Sequence, residues 1–315
     1  MPNRPSWRRI AAAGRLLLPL LLAISLWRIP PAVGGEEATS APKLAWLATN
    51  VVILVVDGAR WTETWGDPEK KNIPEIAATV APRGVVCANA RNEGETETNQ
   101  AHAAIVTGFY DPIANNGTEL PTHPTILQRF LKASGLPQEK AWVITGKRKL
   151  EILGNCKEED WRGQFAPSRY CGKNGRGPGY EEDAGVAAKI QEVLGKDHPR
   201  LLVANLASVD RIGHAGRFEK YRKAIQEADR LVAAIFQTLE TDPFYKDKTA
   251  LFVTDDHGLV LAQRLDQLDH VADQVEQRVL LDFRGRLGAA VAAHVGGHGA
   301  ISGCRKCLEL VPPRV

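Results

Sequence analysis

Acidic, imidazole and hydroxyl side chains recur in a few short segments of this 315-residue sequence. The segments are Asp57-Gly58, Thr98 to His102, Asp210 to Gly216, Asp255 to Gly258 and His294 to Gly299. Carboxylates mixed with imidazoles suit Zn²⁺ best, with Mn²⁺ and iron as alternatives. Two such ions about 4 Å apart can stabilise both the attacking and the leaving oxygen of an in-line displacement. The segments therefore predict a centre with two divalent ions beside a threonine hydroxyl that is available as a nucleophile.

Each segment also has an ordinary structural interpretation. An aspartate at a strand end is often a turn former, and Thr98 has the position of a helix N-cap. A nucleophile at the same place would gain from the positive end of the helix, so the two interpretations of Thr98 are compatible. The segments follow predicted strands or begin a predicted helix, and this shared placement favours a common site.

The elements that position these segments follow from apolar patterning. Continuous apolar runs of four to six residues are typical of strands that are buried on both faces, and spacings of three and four residues are typical of helices. The predicted strands are Val51–Val56, Ala141–Ile144, Leu201–Leu206 and Ala250–Val253, and the predicted helices are Ala184–Leu194 and Phe218–Thr241. This alternation predicts a three-layer αβα sandwich around a mostly parallel sheet, with ligands beyond the carboxyl ends of the strands.

The same segments resemble the alkaline phosphatase superfamily, in particular its type I phosphodiesterase/nucleotide pyrophosphatase branch. The resemblance covers residues 51 to about 300 and implies that Thr98 is the nucleophile. It implies one metal held by Asp57, Thr98, Asp256 and His257, and a second held by Asp210, His214 and His298. His102 is expected near the ligands rather than among them. Thr98 to His102 lacks the Cys/Ser-x-Pro-x-Arg pattern of the superfamily's sulfatases, which argues against that activity.

Contacts to the substrate are expected at four further positions. They are Asn99, Asn116, Lys147 and Lys149. Asn115 and Asn116 lie about where the branch has an asparagine that touches a phosphoryl oxygen. The segment from Lys147 to Lys149 is similar to a Lys-x-Arg motif that contacts phosphate in one group of monoesterases, although a solvated basic turn explains it equally well. Asn99 and Gln100 replace the aromatic residue and proline that usually follow the nucleophile in the branch.

The leading functional hypothesis is a two-metal hydrolase of phosphate monoesters or diesters that works through a phospho-threonine intermediate. A phosphomutase or phosphotransferase on the same scaffold would use the same residues. A non-catalytic surface protein that contains metal is the alternative from a different class. The partner is then a small phosphate ester, and the oligomeric state stays open.

The N-terminal residues of the sequence predict export. Residues 1–34 contain five arginines and no acid, an apolar run and then small residues, which is typical of a signal peptide. The apolar run is too short to span a bilayer comfortably. Residues 35–49 read as a leader, and 50–315 as one domain with an insertion or lid at about 150–182. Beyond residue 34 the chain has 35 basic and 37 acidic residues, which argues against a nucleic-acid-binding surface. A periplasmic or extracellular location follows from the signal.

The five cysteines are compatible with export, because disulfides form outside the cytoplasm. Cys156 and Cys171 flank a loop-like stretch and could be joined. Cys87 lies in an apolar run and is predicted to be a buried thiol. Cys304 and Cys307 could form a local disulfide, a redox pair or half of a metal site, and a structural role is favoured.

Overall fold

The computed structural model describes residues 48–87, 90, 92–172 and 179–259, together with the backbone of residues 280–282. The predictions for the signal, most of the leader, His294, His298, Cys304 and Cys307 lie outside these residues. The strands are β1 Asn50–Val56, β2 Gly84–Val86, β3 Ala141–Thr145, β4 Ser168–Cys171, β5 Leu201–Leu206, β6 Thr249–Thr254 and β7 Leu280–Asp282. The α-helices are α1 Thr98–Thr107, α2 Ile126–Ser134, α3 Asp183–Lys196, α4 Ser208–His214 and α5 Phe218–Thr241.

Short helical turns complete the described chain. They are the 3₁₀ segments Trp61–Glu63, Ala81–Arg83, Gln138–Lys140 and Arg148–Gly154, and a π-helical turn at Ile76–Val80.

The strands form one sheet in the order β2-β7-β6-β1-β5-β3-β4. The five strands from β6 to β4 are parallel, whereas β7 pairs antiparallel with both β6 and β2. β1 lies between β5 and β6, with Val55 in register with Asn205 on one side and Thr254 on the other. The residues that follow these three strands therefore meet at one edge of the sheet.

Helices cover both faces of the sheet. Successive side chains of β1 point to opposite faces, and those on each face pack against helices. Val52, Leu54 and Val56 pack into an apolar cluster that also contains the inner faces of α3 and α5. Val51 and Ile53 pack on the other face, against a cluster that includes residues of α1 and α2. This arrangement confirms the predicted three-layer sandwich, and the continuous apolar runs reflect strands that are covered on both sides.

The predicted strands and helices are present with small shifts at their ends. Helix α5 has the predicted bounds, and α3 extends the predicted helix by one residue at its start and two at its end. The difference lies in residues 150–182, where β4 joins the sheet as an edge strand beside β3. Its sequence, Ser-Arg-Tyr-Cys, is only partly buried, so it has no apolar run that would mark a strand. This part of the expected insertion belongs to the sheet.

The cysteine prediction for Cys156 and Cys171 is wrong. Each of the cysteines in the described residues, Cys87, Cys156 and Cys171, is a buried thiol and not half of a disulfide. Cys156 lies in the turn after a 3₁₀ segment and Cys171 ends β4, so flanking a loop in sequence did not make them partners. The prediction that Cys87 is a buried thiol is confirmed.

Candidate metal centre

Five of the predicted site residues come together beyond the carboxyl ends of β1, β5 and β6. Asp57 follows β1, Asp210 lies in α4 just after β5, and Asp256 and His257 follow β6, while Thr98 is the first residue of α1. All of them are buried, with exposed fractions from 0% for Asp57 and Asp256 to 7% for His257. One potential ligand atom from each of Asp57, Asp210 and His257 lies within 4.8 Å of the others, and the same holds for Asp57, His102 and Asp256.

A lysine lies at the centre of these residues. The Nζ atom of Lys147 is 2.9 Å from Oδ1 of Asp57, 2.6 Å from Oδ2 of Asp210 and 3.1 Å from Oγ1 of Thr98. The side chain is only 2% exposed, so the interpretation of this segment as a solvated turn is wrong for Lys147. Burial disfavours the ammonium, but the charges of Asp57 and Asp210 outweigh it and raise the pKa of Lys147 above its ordinary value.

Gly58 explains why a glycine follows Asp57. Its φ angle is +78°, and an added Cβ atom would lie 2.8 Å from Cβ of Asp210. A larger residue would therefore be strained in its backbone and would push Asp210 away. The amide of Gly58 donates to Oδ1 of Asp256 at 3.2 Å, and its carbonyl accepts from the hydroxyl of Tyr221 at 2.8 Å. The turn thus connects β1 to the segment after β6 and to α5.

His257 is oriented as a ligand would be. Its Nδ1 atom lies 2.8 Å from the carbonyl of Gly258, which can only accept, so Nδ1 carries a proton and Nε2 is the nitrogen that a metal could use. Nε2 faces Oδ1 of Asp57 and Oδ2 of Asp256, each at 3.5 Å. Burial opposes a charge on the ring, but these two carboxylates raise the pKa of His257.

The two most buried carboxyl groups respond differently to their surroundings. Burial and the adjacent charge of Asp256 raise the pKa of Asp57. Burial acts in the same direction on Asp256, but the positive charge of His257 and the hydrogen bond from His102 lower its pKa. Clustered carboxylates with few counter-charges are a typical environment for a cation.

The residues predicted for the second metal are less enclosed. Nε2 of His214 lies 3.1 Å from Oδ1 of Asp210, one helical turn earlier in α4, but the His214 side chain is 70% exposed. Gly216 follows with a φ angle of +67° and ends this short helix. The third expected ligand, His298, lies outside the described residues.

The predicted substrate-contacting residues separate into two groups. Lys149 is half-buried, and its Nζ atom donates to Oδ1 of Asn115 at 2.7 Å. The same oxygen accepts from the backbone amide of Asn99 at the start of α1, at 3.1 Å. The side chain of Asn99 is buried and donates to the carbonyl of Lys149. Burial and the charge of Lys147 lower the pKa of Lys149.

Asn116 does not belong with these residues. It is exposed, and its Oδ1 atom accepts from both the amide and the hydroxyl of Thr118, as in an ordinary Asx turn. Asn115 is therefore the better candidate of the pair, because its side chain lies between Lys149 and the first turn of α1. Neighbouring positions in a loop point in different directions, and sequence position alone could not separate them.

Two buried polar residues were not predicted as parts of the site. Asn205 in β5 donates to Oδ2 of Asp57 at 2.8 Å, and it was visible in the sequence as one amide in an otherwise apolar run. Asp183 accepts from the amides of Ala207 and Ser208 at 2.7 and 3.0 Å, which ties the start of α3 to the helix that carries Asp210. Burial raises the pKa of Asp183 to about 6. An acid at a helix start gave no signal of its own, because such residues are common.

The donor set fits divalent cations. Three carboxylates and an imidazole with a directed lone pair surround one small region, and carboxylate with imidazole is a ligand combination of Zn²⁺, Mn²⁺ and iron. The contacts of Lys147 support this fit, because oxygen atoms from both expected ligand groups already coordinate one positive charge.

Comparison with known proteins gives a match to a family model and short sequence matches to curated proteins. Residues 174–277 match the model described as the metalloenzyme superfamily. Over 73 residues the chain is 38% identical to the 2,3-bisphosphoglycerate-independent phosphoglycerate mutase of Clostridium botulinum strain ATCC 19397 / Type A. This match covers 23% of the chain and 13% of the length of that enzyme. It therefore concerns a small part of the relative.

Solved structures show the same fold over a larger part of the chain. The lipoteichoic acid synthase LtaP from Listeria monocytogenes aligns with a TM-score of 0.52 and 14% identity, covering 76% of this chain and 66% of that one. A protein of the alkaline phosphatase superfamily from Vibrio parahaemolyticus gives 0.52 and 15%, with 74% and 60% covered. The zinc complex of the C-terminal periplasmic domain of EcEptC from Escherichia coli gives 0.52 and 16%, with 74% and 72% covered.

The fold, the clustered acids and histidines and the metalloenzyme match agree with the resemblance that the sequence motifs indicated. None of the helices in the described part of the chain has the length and apolar composition of a membrane span. Residues 174–277 are thus similar to the metalloenzyme superfamily, and the fold of the chain is similar to that of a protein in the alkaline phosphatase superfamily.

Proposed function

We propose that this protein is a metal-dependent phosphoric ester hydrolase that cleaves phosphate monoesters or diesters with Thr98 as its nucleophile. The observation that carries the proposal is the position of the Thr98 hydroxyl. It is buried at the first turn of α1, 3.1 Å from the Lys147 ammonium, which itself binds Asp57 and Asp210. A hydroxyl that lies close to a positive charge and to potential metal ligands is suited to attack phosphorus.

Two groups of residues would hold the metals, with zinc as the preferred ion. They are Asp57, Thr98, Asp256 and His257 for one ion and Asp210, His214 and His298 for the other. When bound, such ions lower the pKa of a coordinated hydroxyl and offset negative charge on phosphoryl oxygens. Thr98 is the one hydroxyl in these groups, and its backbone begins a helix whose positive end favours an anion.

The proposed reaction has two chemical steps, and several side chains contribute to them. In the first step the hydroxyl of Thr98 releases its proton to solvent and Oγ1 forms a bond to phosphorus while the bond to the ester oxygen breaks, and the alcohol leaves with a proton from solvent. In the second step water bonds to phosphorus, inorganic phosphate or a phosphomonoester leaves, and Thr98 regains its hydroxyl. Lys147 would stabilise the oxyanion form of Thr98, and Lys149 and Asn115, which are hydrogen-bonded to each other, would contact the phosphate.

Substitution of the nucleophile tests this proposal. We expect Thr98→Ala to lose at least about 10³-fold in turnover of aryl phosphate mono- and diesters while it keeps its fold and its bound metal. Thr96→Ala is the matched control, because Thr96 is exposed two residues earlier, and it should retain full turnover. Turnover that survives in Thr98→Ala would reject the nucleophile assignment.

A phosphomutase or phosphotransferase is the second candidate, and the short match to phosphoglycerate mutases favours it. Such an enzyme would return the phosphoryl group from Thr98 to an alcohol acceptor instead of water. Release of inorganic phosphate from an aryl phosphate in proportion to the freed phenol supports the hydrolase. Little free phosphate, together with labelled transfer to an added alcohol, supports the transferase.

Export is part of the proposal and rests on the pattern of residues 1–34. We expect the mature protein to begin near residue 35 and to be recovered outside the cytoplasm. Amino-terminal sequencing of the purified protein tests this, and an intact N-terminus would argue for an uncleaved anchor.

A further inference from the structure

Strand β5 carries one polar side chain at the centre of the sheet. Asn205 is fully buried and lies in register with Val55 of β1 and Thr145 of β3. Its Nδ2 atom is 2.8 Å from Oδ2 of Asp57 and 3.1 Å from Nε2 of His102. A single amide therefore bridges a proposed metal ligand and a buried histidine.

The donors and acceptors in this bridge can be assigned from chemistry. A carboxylate oxygen and an amide oxygen both accept hydrogen bonds, so the NH₂ group of Asn205 must face Asp57. The second hydrogen of that NH₂ group then points to Nε2 of His102, which must accept. The proton of a neutral His102 ring consequently resides on Nδ1.

The bonds of Nδ1 continue the chain of contacts. Nδ1 of His102 is 2.8 Å from the carbonyl of Thr98, which accepts its proton, and it lies 3.1 Å from Oδ2 of Asp256. His102 thus uses both ring nitrogens within the protein. His257 differs, because its Nδ1 atom is bound to a carbonyl and its Nε2 atom faces the acids.

We infer that Asn205 is a positioning residue that holds Asp57 directly and, through the Nδ1–H form of His102, also holds Asp256 and the first turn of α1. The inference deepens the proposed function, on which it rests, because it states how two metal ligands and the nucleophile's backbone are kept in register. The carbonyl oxygen of Asn205 is buried and has no hydrogen-bond partner among the described residues. Because the oxygen of this amide accepts no hydrogen bond there, the contacts of the NH₂ group determine how the Asn205 side chain is oriented.

Replacement by aspartate tests the inference, because Asn205→Asp keeps the shape and exchanges the NH₂ group for an oxygen that accepts. Nε2 of His102 would then have to carry a proton. We expect the ¹⁵N resonances of His102, assigned with a His102→Gln variant of the full chain, to change from the Nδ1–H pattern to one with a protonated Nε2. We expect Zn²⁺ affinity, measured by competition with a chelator, to fall by about 100-fold.

A buried asparagine on the adjacent strand provides the matched control. Asn50 is 1% exposed at the opposite end of β1, where it donates to Phe244 and Thr249. Asn50→Asp should lower stability but leave the His102 resonances and the Zn²⁺ affinity within about twofold of the original values. Equal losses of affinity in both variants would overturn the inference, because they would indicate general destabilisation.

The resonances separate this inference from the proposed function. If the original protein binds none of Zn²⁺, Mn²⁺ and Fe²⁺, the proposed function fails, while a change in the His102 resonances of the metal-free variant still supports the role of Asn205. Unchanged His102 resonances in Asn205→Asp overturn that role. If Asn205→Asp does not fold, Asn205→Ala removes both donors without adding charge, and signals from both neutral tautomers of His102 are then expected.

Discussion

The two groups of proposed metal ligands are built differently. Asp57, Asp256 and His257 are at most 7% exposed, follow central strands and share hydrogen bonds with Gly58, His102 and Asn205. The group of Asp210 and His214 lies on a seven-residue helix, and its histidine is 70% exposed. Burial and shared contacts arrange the inner group before any ligand arrives, whereas the outer group depends on how α4 is held.

Lys147 connects the inner and the outer group, and Asp183 supports the helix that carries the outer group. Lys147 binds Asp57 of the inner group and Asp210 of the outer group. Asp183 lies beneath α4 and accepts from the amides at its start. The predictions below test two statements. The first is that contacts within the protein already arrange the inner group, and the second is that the outer group depends on how α4 is held.

Removal of the Lys147 charge should have the largest effect. In Lys147→Met, Asp57 and Asp210 lose their common cation while they stay buried, and an uncompensated buried charge of this kind costs about 3–5 kcal/mol. We expect the free energy of unfolding of the metal-free protein to fall by about this amount in chemical denaturation. Excess Zn²⁺ should recover a large part of the loss, because it supplies positive charge to the same oxygens. Lys220→Met, at an exposed position of α5, is the control and should change stability little.

The effect of Asp183 should depend on pH. Its folded pKa is about 6 and its ordinary value is 3.8, so the folded state binds this proton more tightly than the unfolded state. Its contribution to stability is fully present below about pH 4 and is lost as the pH rises through about 6. The rise in the pKa of Asp183 from 3.8 to about 6 corresponds to about 3 kcal/mol of unfolding free energy. We expect Asp183→Asn, which keeps the acceptor for α4, to remove this decline in unfolding free energy between pH 4 and 7. A parallel pH dependence in variant and original protein would contradict the prediction.

The two histidines should differ in their effect on metal binding. We expect His257→Ala to weaken Zn²⁺ affinity by more than the roughly 10–100-fold that loss of an outer partner costs, because no other described side chain can replace its directed Nε2 atom. We expect His214→Ala to weaken affinity only about tenfold and to affect one ion of two, because its side chain is mostly in solvent. Chelator competition with both variants measures the difference. Equal losses would show that the exposed group is as preformed as the buried one.

The architecture could be predicted from particular sequence features. Val51–Val56 is apolar throughout and Leu201–Leu206 is apolar except for Asn205, because both faces of the sheet are covered, and α5 has a clear helical periodicity over 24 residues. β4 could not be predicted, because a short and half-exposed edge strand has neither pattern. The same limit applies to the turns, in which Asn115 and Asn116 differ in direction although they are adjacent.

The sequence by itself determined the class of fold and the types of ligand, because apolar runs and clustered Asp and His residues depend on local composition. It also determined that Asp57, Thr98, Asp210, Asp256 and His257 were the residues to consider. Only the tertiary structure decided that Lys147 lies among the carboxylates and that Asn205 and His102 connect them. Lys147 and Asp210 are 63 residues apart in the chain and Asn205 and Asp57 are 148 apart, and the direction of a side chain across a sheet depends on packing that no local pattern records.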